Sequence, residues 1–548
     1  MFLDRILKHS SIKYIAIFVC CLAFFSCTKE KKSDKMIFHY NETASLTSLD
    51  PAFAKDQAMI WVDNQIYNGL LQLDSNLQVQ PCIAKSFSIS DDAKTYTFIL
   101  RNDVYFHKDQ SFTNPKHTRQ VIAEDFVYSF NRVLDEKLAA PGSWVFEHVA
   151  KHGNKYCFTA LNDSTLQIEL KEPFAPFLGL LTMPYTYVVP REAVEFYGKD
   201  FRKHPIGTGA FKFQYWKEGV KLVLLKNENY FEKDEKGRTL PYLDAVNVSF
   251  IVDKQSVFLE FVKGNIDFIS GIDPNYKDEI LTRKGTLQPK YADKINMHKQ
   301  AYLNTEYLGF YIDPTDKNNP LLNKKIRQAI NYGFDREKMI RYLRNNIGFA
   351  GNYGIIPRGL QGFSPDAQFA YTYNPKKARQ LLKEAGYYEK KPTITLSTTS
   401  AYLDLCKYLQ QQLTLLGMNV ALDVNPPAEL REMMAQGKTN WFRGSWIADY
   451  PDSENYLSLF YSKNFAPHGP NYTHFHNKTY DKLYEQAGKE TSKQKRENLY
   501  KQMNQIIIEE APIVVLYYDE VLRFTQKKVQ NLHPNAMNLL TLKTVYFN

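Results

Sequence analysis

The chain has 548 residues, too many for one ordinary core and enough for two or three packed lobes. Its formal net charge of +10, from 69 basic and 59 acidic residues, is spread along the chain. The concentrated basic face of a nucleic-acid reader is absent, so no nucleic-acid partner is expected.

The first element is a leader. Arg5, Lys8 and Lys13 precede an unbroken apolar run over 14–25 and the small residue Ser26. A basic start, an apolar stretch too short to span a bilayer and a small residue before a cut make a secretory signal peptide over 1–26. Cys27 stands at the cut, and Thr28-Lys29-Glu30-Lys31-Lys32 follows at once as a polar tether over 27–35. A cysteine in that place is the pattern of a bacterial lipoprotein, its thiol acylated; an ordinary signal peptide cut nearby is the alternative. Either way the body works outside the cytosol, without ATP or NADH, which excludes most enzyme classes. No later stretch approaches the ~20 apolar residues of a membrane helix.

In the front half, 96–100 and 165–170 alternate at period two and read as strands, with few long helices between them. The tail half alternates clearly. Residues 375–384 place Ala378, Leu381, Leu382 and Ala385 on one helical face, with Asn374 as N-cap and Gly386 as stop. Strand 393–397, helix 402–416 ending at Gly417, strand 418–424, helix 428–436 and strand 441–448 follow. This order predicts an α/β lobe with a parallel sheet and helices on its faces. Ligands of such sheets sit beyond the carboxyl ends of the strands, which is where Asp449 falls. A helix over 453–460, a long helix over 493–510 and a buried strand over 512–518 complete the chain. Gly/Ser-rich linkers are missing, so the chain is expected to cross between lobes more than once.

Of six cysteines, three belong to the leader region and leave Cys82, Cys157 and Cys406. That is no disulfide framework; Cys82 could pair with Cys157, but three buried small hydrophobes is the simpler account. His474 and His476, with His468 nearby, sit in a loop expected to lie away from the cleft, and no second cluster completes a ligand set, so no metal is expected. The chain holds no G-x-S-x-G elbow, H-E-x-x-H pair, P-loop or complete G-x-G-x-x-G; Gly207-Thr208-Gly209 is only a fragment.

Ten short blocks, in order, carry a resemblance. They include Leu49-Asp50-Pro51, Ile66-Tyr67-Asn68-Gly69-Leu70 and Ile83-Ala84-Lys85-Ser86-Phe87. The pair 91–101 and 104–107 follows, then Ala123-Glu124-Asp125-Phe126, Pro205-Ile206-Gly207-Thr208-Gly209 and Gly264-Asn265-Ile266-Asp267. Ile326-Arg327-Gln328-Ala329-Ile330-Asn331 and Trp446-Ile447-Ala448-Asp449-Tyr450 close the series. The chain resembles the oligopeptide- and dipeptide-binding lipoproteins of ABC importers, the extracellular solute-binding proteins of family 5. One departure is Phe106-His107-Lys108-Asp109-Gln110, where the family's turn carries a glycine.

The resemblance implies a periplasmic-binding-protein-like α/β fold (type II, cluster C), with two lobes around a ligand cleft and an extra domain. Lobe I would comprise 36–67, 205–300 and 517–548, the extra domain 68–204 and the α/β lobe 301–516. The implied function is capture of short peptides for a membrane permease and its ATPase, by a monomer held at a bacterial membrane through Cys27, in the periplasm or on the cell surface. No catalytic residue and no cofactor are implied. Asp449 would pair with the peptide amine, because a buried ammonium needs a carboxylate; capping of the following helix is the bland alternative, though Asp452 is better placed for it. The peptide main chain would lie as an added strand between Ser445-Trp446-Ile447 and Lys55-Asp56-Gln57. Trp446 would wall the cleft or belong to the core, and Arg443 stands where an arginine holds a ligand carboxylate in the oligopeptide-binding member. A tethered peptide sensor shares all these residues; a carrier of nickel chelates or haem on the same fold would lack a functional carboxylate at Asp449.

Overall fold

The computed structural model describes residues 35–271, 276–366 and 370–548. The leader, the lipidation residue Cys27 and nearly all of the tether lie outside the described residues.

An eleven-stranded mixed sheet organises the body. Its order runs Phe211–Lys217, Lys221–Lys226, Ala245–Ser249, Ile37–Asn41, Phe268–Ser270, Ile513–Gln526, Ile295–Phe310, Trp441–Ile447, Thr393–Thr398 and Asn419–Val424, with Phe349–Ala350 beside Ile513–Gln526. The three tail strands pair in parallel, as Thr393 opposite Asn419 and Ser397 opposite Phe442. Beyond them the sheet turns antiparallel, because Trp441–Ile447 pairs in reverse with Ile295–Phe310. The α/β alternation thus occupies one end of a longer sheet.

Helices Pro375–Glu384, Leu403–Thr414 and Pro427–Ala435 fall where the spacing predicts them. The Asn374 side chain accepts from the Lys377 backbone N–H at 3.0 Å. Gly417 has φ +85°, the left-handed stop that a side chain would strain. Strand alternation feeds two cores: Leu308, Phe310, Trp441, Val514 and Leu516 point to one face, while Tyr307, Phe442 and Val515 point to the other. The helix expected over 453–460 is a single turn, Glu454–Leu457, continued as the 3₁₀ turn Ser458–Phe460.

Two long strands go beyond the sequence reading, one outrunning the strand expected over 512–518 and the other not expected at all. Ile295–Phe310 has 16 residues and Ile513–Gln526 has 14, and they pair antiparallel with register shifts between Ala301 and Thr305 and between Glu306 and Tyr307. One end of the pair packs Ile295, Leu522 and Phe524 against Phe258 and Phe261, and the other enters the α/β core.

A separate antiparallel sheet has the order Ala84–Ile89, Thr95–Leu100, Thr165–Glu169, Phe158–Asn162. Helix Ala123–Val133 covers it, with Phe130 against Phe146 and Phe158 at ring separations of 4.8 and 5.2 Å. The repeated blocks have structural work here. Asp50 holds Arg132 through two hydrogen bonds of 3.0 and 2.5 Å, joining two blocks by a buried ion pair. Gly207 and Gly209 lie against the end of helix Gln57–Ile66, where an added Cβ would sit 2.1 Å from the Ile66 carbonyl oxygen and 2.3 Å from that of Gln65. The fragment Gly207-Thr208-Gly209 is therefore a close packing of backbones. In the departing turn, the His107 ring contacts the Gly209 carbonyl at 3.0 Å and its backbone N–H donates to Gly207, so the turn is anchored without the glycine.

Candidate functional site

Trp446 and Asp449 line one cavity of about 680 Å³. Strand Trp441–Ile447 delivers both. On one side the strand is paired through to Ile447, opposite Asn304. On the other side it meets a neighbour only at Phe442, opposite Ser397. From Arg443 to Ile447 that edge stands open among the described residues, the template on which an extended chain can add a strand.

Asp449 is exposed toward the cavity, whose walls crowd its carboxylate enough for desolvation to raise its pKa, opposed by the Asn455 amide. Asn455 Nδ2 donates to Asp449 Oδ2 at 3.1 Å. No cation lies within ion-pairing distance of Asp449 among the described residues. Asp452 is committed elsewhere: its Oδ1 accepts from the Glu454 backbone N–H at 2.9 Å and from the Tyr500 hydroxyl at 2.6 Å. Ser453 holds the N-cap position without a side-chain bond, and Asp452 takes the Glu454 N–H from just before it, so Asp449 caps nothing and is left facing the cavity.

The opposite wall comes from the front half, with Trp144, His148, Phe174 and Leu180. His148 stacks on Phe174 at 3.7 Å and Trp144 approaches Tyr450 at 6.4 Å. The Tyr450 and Tyr484 hydroxyls both donate to buried Glu454, whose pKa burial raises. Neither Asn455 nor this wall was visible in the sequence, because isolated polar and aromatic residues carry no periodic signal.

Lys55, Asp56 and Gln57 do not line this cavity. They are also not an extended edge throughout: Asp56 caps helix Gln57–Ile66, its side chain accepting from the Met59 N–H at 3.1 Å, so Gln57 is already helical. Gln57 lines two other cavities, of about 260 and 350 Å³, the second with Tyr302, Arg344 and Asp519. Tyr185 lies near both Asp449 and Asp56, which add to the rise in its pKa that burial causes, up to about 12.

Arg443 is engaged. It ion-pairs with Glu306 and its guanidinium lies 3.3 Å over the Tyr402 ring. Asn304 donates to Glu306 and to Asp519 at 3.2 Å each, and Asp519 pairs with Arg344 at 2.6 Å, forming one network under the sheet. A ligand carboxylate would meet a guanidinium that already has an acid.

The histidine cluster needs one correction. His468 lines the Asp449 cavity instead of lying away from it, because the loop folds back over Tyr461 and Lys463. His474 stacks on Phe465 and contacts the Ala466 carbonyl at 3.0 Å, while His476 is exposed beside Asp481. Cys82, Cys157 and Cys406 are free and buried, so Cys82 and Cys157 do not pair.

A mixed sheet with an open stretch of strand edge running to an acid that has no ion pair among the described residues offers a place for a ligand. Residues 78–467 match the bacterial extracellular solute-binding proteins, family 5, and the chain belongs to that family. It is similar to the glutathione-binding protein GsiB of Salmonella typhimurium, 26% identical over 501 residues that cover 89% of this chain and 90% of that protein. It is also similar to heme-binding protein A of Haemophilus influenzae, 28% identical over 509 residues covering 88% and 87%. In structure it resembles the ABC transporter-associated periplasmic binding protein DppA from Helicobacter pylori in complex with the peptide STSA, at a TM-score of 0.74 and 26% identity, covering 94% of this chain and 98% of the other. The fold is that of the periplasmic binding proteins, and among the described residues no helix is long and apolar enough to cross a membrane.

Proposed function

We propose that the protein captures short peptides and delivers them to an ABC permease and its ATPase, with Asp449 receiving the free α-amine. The observation that carries this reading is the open backbone edge Arg443–Ile447 running into Asp449, an acid with an amide but no cation beside it. A peptide laid along that edge exchanges main-chain hydrogen bonds that do not depend on its sequence. Its ammonium then meets the carboxylate at the strand end, and the aromatic walls accept varied side chains. Lobe I (36–67, 205–300, 517–548) and the α/β lobe (301–516) would close about the two long strands, with 68–204 as the extra domain. The protein would act as a monomer anchored through acylated Cys27, with no catalytic step and no cofactor.

The test is calorimetry on wild type and Asp449→Asn with free and N-acetylated peptide. Losing one partner of a desolvated pair costs about 2–5 kcal/mol, roughly thirty-fold to several thousand-fold in affinity. Acetylation should weaken wild type by that amount and add little in the variant, because both changes remove one interaction. Equal binding of free and acetylated peptides by wild type would end the reading. The similarity to heme-binding protein A and the aromatic cavity, with His148 and His468 in its lining, favour haem as a second cargo. Haem saturation that persists in Asp449→Asn, with no peptide bound by wild type, would select it.

A further inference from the structure

Away from Asp449, a short hairpin and two neighbouring segments of the extra domain each present one metal-binding side chain. His152 ends the two-residue strand Lys151–His152, Cys157 directly precedes Phe158–Asn162, and Glu169 ends Thr165–Glu169. The backbone fixes their relation. The Glu169 N–H donates to the Cys157 carbonyl at 3.1 Å, so these two are cross-strand neighbours with side chains on one face. The Cys157 N–H donates to Ala150 at 2.9 Å, which brings the hairpin carrying His152 alongside.

The ligand atoms of the three residues lie within 4.8 Å of one another. His152 Nε2 stands 3.5 Å from Glu169 Oε2, too long for a good hydrogen bond. Tetrahedral zinc, with bonds of about 2.0–2.2 Å to nitrogen or oxygen and about 2.3 Å to sulfur, sets neighbouring ligand atoms roughly 3.3–3.8 Å apart. The trio needs only a small contraction to reach that spacing. Imidazole, thiolate and carboxylate together suit zinc better than calcium or magnesium, which take oxygen sets.

We propose that His152, Cys157 and Glu169 bind one zinc ion, with a water completing the tetrahedron, and that the ion clips the hairpin over 151–156 to strand Thr165–Glu169. Binding forms the zinc–sulfur bond as the Cys157 thiol releases its proton to solvent, and no electron changes hands. Four residues before His152, His148 belongs to the wall of the Asp449 cavity, so the clip would brace that wall from behind. The inference is independent of what the cavity holds.

The test uses the purified, reduced, metal-free protein. Zinc calorimetry should report one equivalent, and cobalt substituted for zinc should show a thiolate-to-cobalt charge-transfer band. Losing a supporting partner of a metal ligand typically costs at least about tenfold in affinity, and His152→Asn and Glu169→Gln should each lose no less. Cys157→Ser should abolish the band, and His476→Asn should change nothing. His152 and Glu169 are exposed enough that their variants should fold, which keeps the test decisive if Cys157→Ser does not. Zinc should raise the melting temperature of wild type and not of the variants. Absence of zinc binding, cobalt bound without the thiolate band, or wild-type affinity in both His152→Asn and Glu169→Gln would overturn the proposal.

Discussion

The Asn455 carboxamide spans Trp446 and Asp449. Its oxygen accepts from the Trp446 indole N–H at 2.8 Å and the Asp449 backbone N–H at 3.1 Å, while its Nδ2 donates to Asp449 Oδ2 at 3.1 Å. One buried side chain therefore sets the indole wall and the carboxylate together. Asn455→Ala strips two donors and an acceptor of their partner, each worth about 0.5–1.5 kcal/mol. Ligand affinity is expected to fall roughly tenfold or more, with global stability lowered by about 1.5–4.5 kcal/mol. Calorimetry and urea unfolding on the same preparation separate the two effects; unchanged affinity would show that the tether does not position the site.

Asp449 itself carries a cost that function explains. Enclosure raises its pKa above the ordinary aspartate value. Its folded form thus holds a proton more tightly than the unfolded chain, and stability declines as pH rises from about 4 through the raised value. Asp449→Asn removes that decline, so the ligand-free variant should melt higher than wild type at neutral pH while binding is lost. Scanning calorimetry without ligand checks the sign.

Glu42 should dominate a second pH effect. Burial, with Asp56 nearby, pushes its pKa up to about 8 from the model-compound 4.5, and its Oε1 has no hydrogen-bond partner. Below pH 4.5 both states are protonated and the group is neutral to stability. Between 4.5 and 8 only the unfolded chain ionises, so stability falls as pH rises, by at most about 1.4 kcal/mol per unit. Glu42→Gln should flatten this part of the melting-temperature profile and raise stability at pH 7.5. A profile parallel to wild type would show that Glu42 ionises freely in the folded protein.

The tail helices were legible because each signal was local: Asn374 caps, Gly417 stops, and the apolar spacing between them matches a helical face. The strand Ile513–Gln526 was legible only to its middle. The apolar run stops at Tyr518, and the polar residues beyond it are held by partners: Asp519 pairs with Arg344, Glu520 with Lys299 at 2.9 Å, and Arg523 with Asn538 at 2.7 Å. Those partners lie 15 to 221 residues away in sequence, from Arg523–Asn538 to Glu520–Lys299, and no pattern near the strand announces them. The same holds for the cavity: Asp449 and Trp446 stand in one recognisable block, while Trp144, His148 and Phe174 reach it from turns and connections in the front half of the chain. The start of helix Gln57–Ile66 is hidden because the resemblance places its cap, Asp56, in a segment flanking the peptide strand.

The proposed anchor, Cys27, lies before the described residues. Cys27→Ser is expected to release the protein from membranes and to remove the acyl mass seen by intact-protein mass spectrometry. Wild type recovered without lipid would leave the ordinary signal peptide as the explanation of 1–26.

Arg443 and Glu306 separate a binding role from a structural one. Both side chains are nearly buried, 13% and 3% exposed, and burial raises the Glu306 pKa while Arg443 opposes that rise. Removing one partner of a buried pair leaves an uncompensated charge and costs about 3–5 kcal/mol, whereas removing both is often close to neutral. Arg443→Met should therefore destabilise strongly, and Arg443→Met combined with Glu306→Gln should recover most of the loss. Binding reads the other role. If Arg443 accepts the ligand carboxylate, Glu306→Gln frees the guanidinium and should strengthen binding of a peptide with a free C-terminus while leaving its C-terminal amide unaffected. If Arg443 only holds the sheet together, Glu306→Gln should change both peptides alike. Urea unfolding on the four proteins and calorimetry with the two peptides give both answers, and a stability cost with no difference between peptides would assign Arg443 to the fold alone.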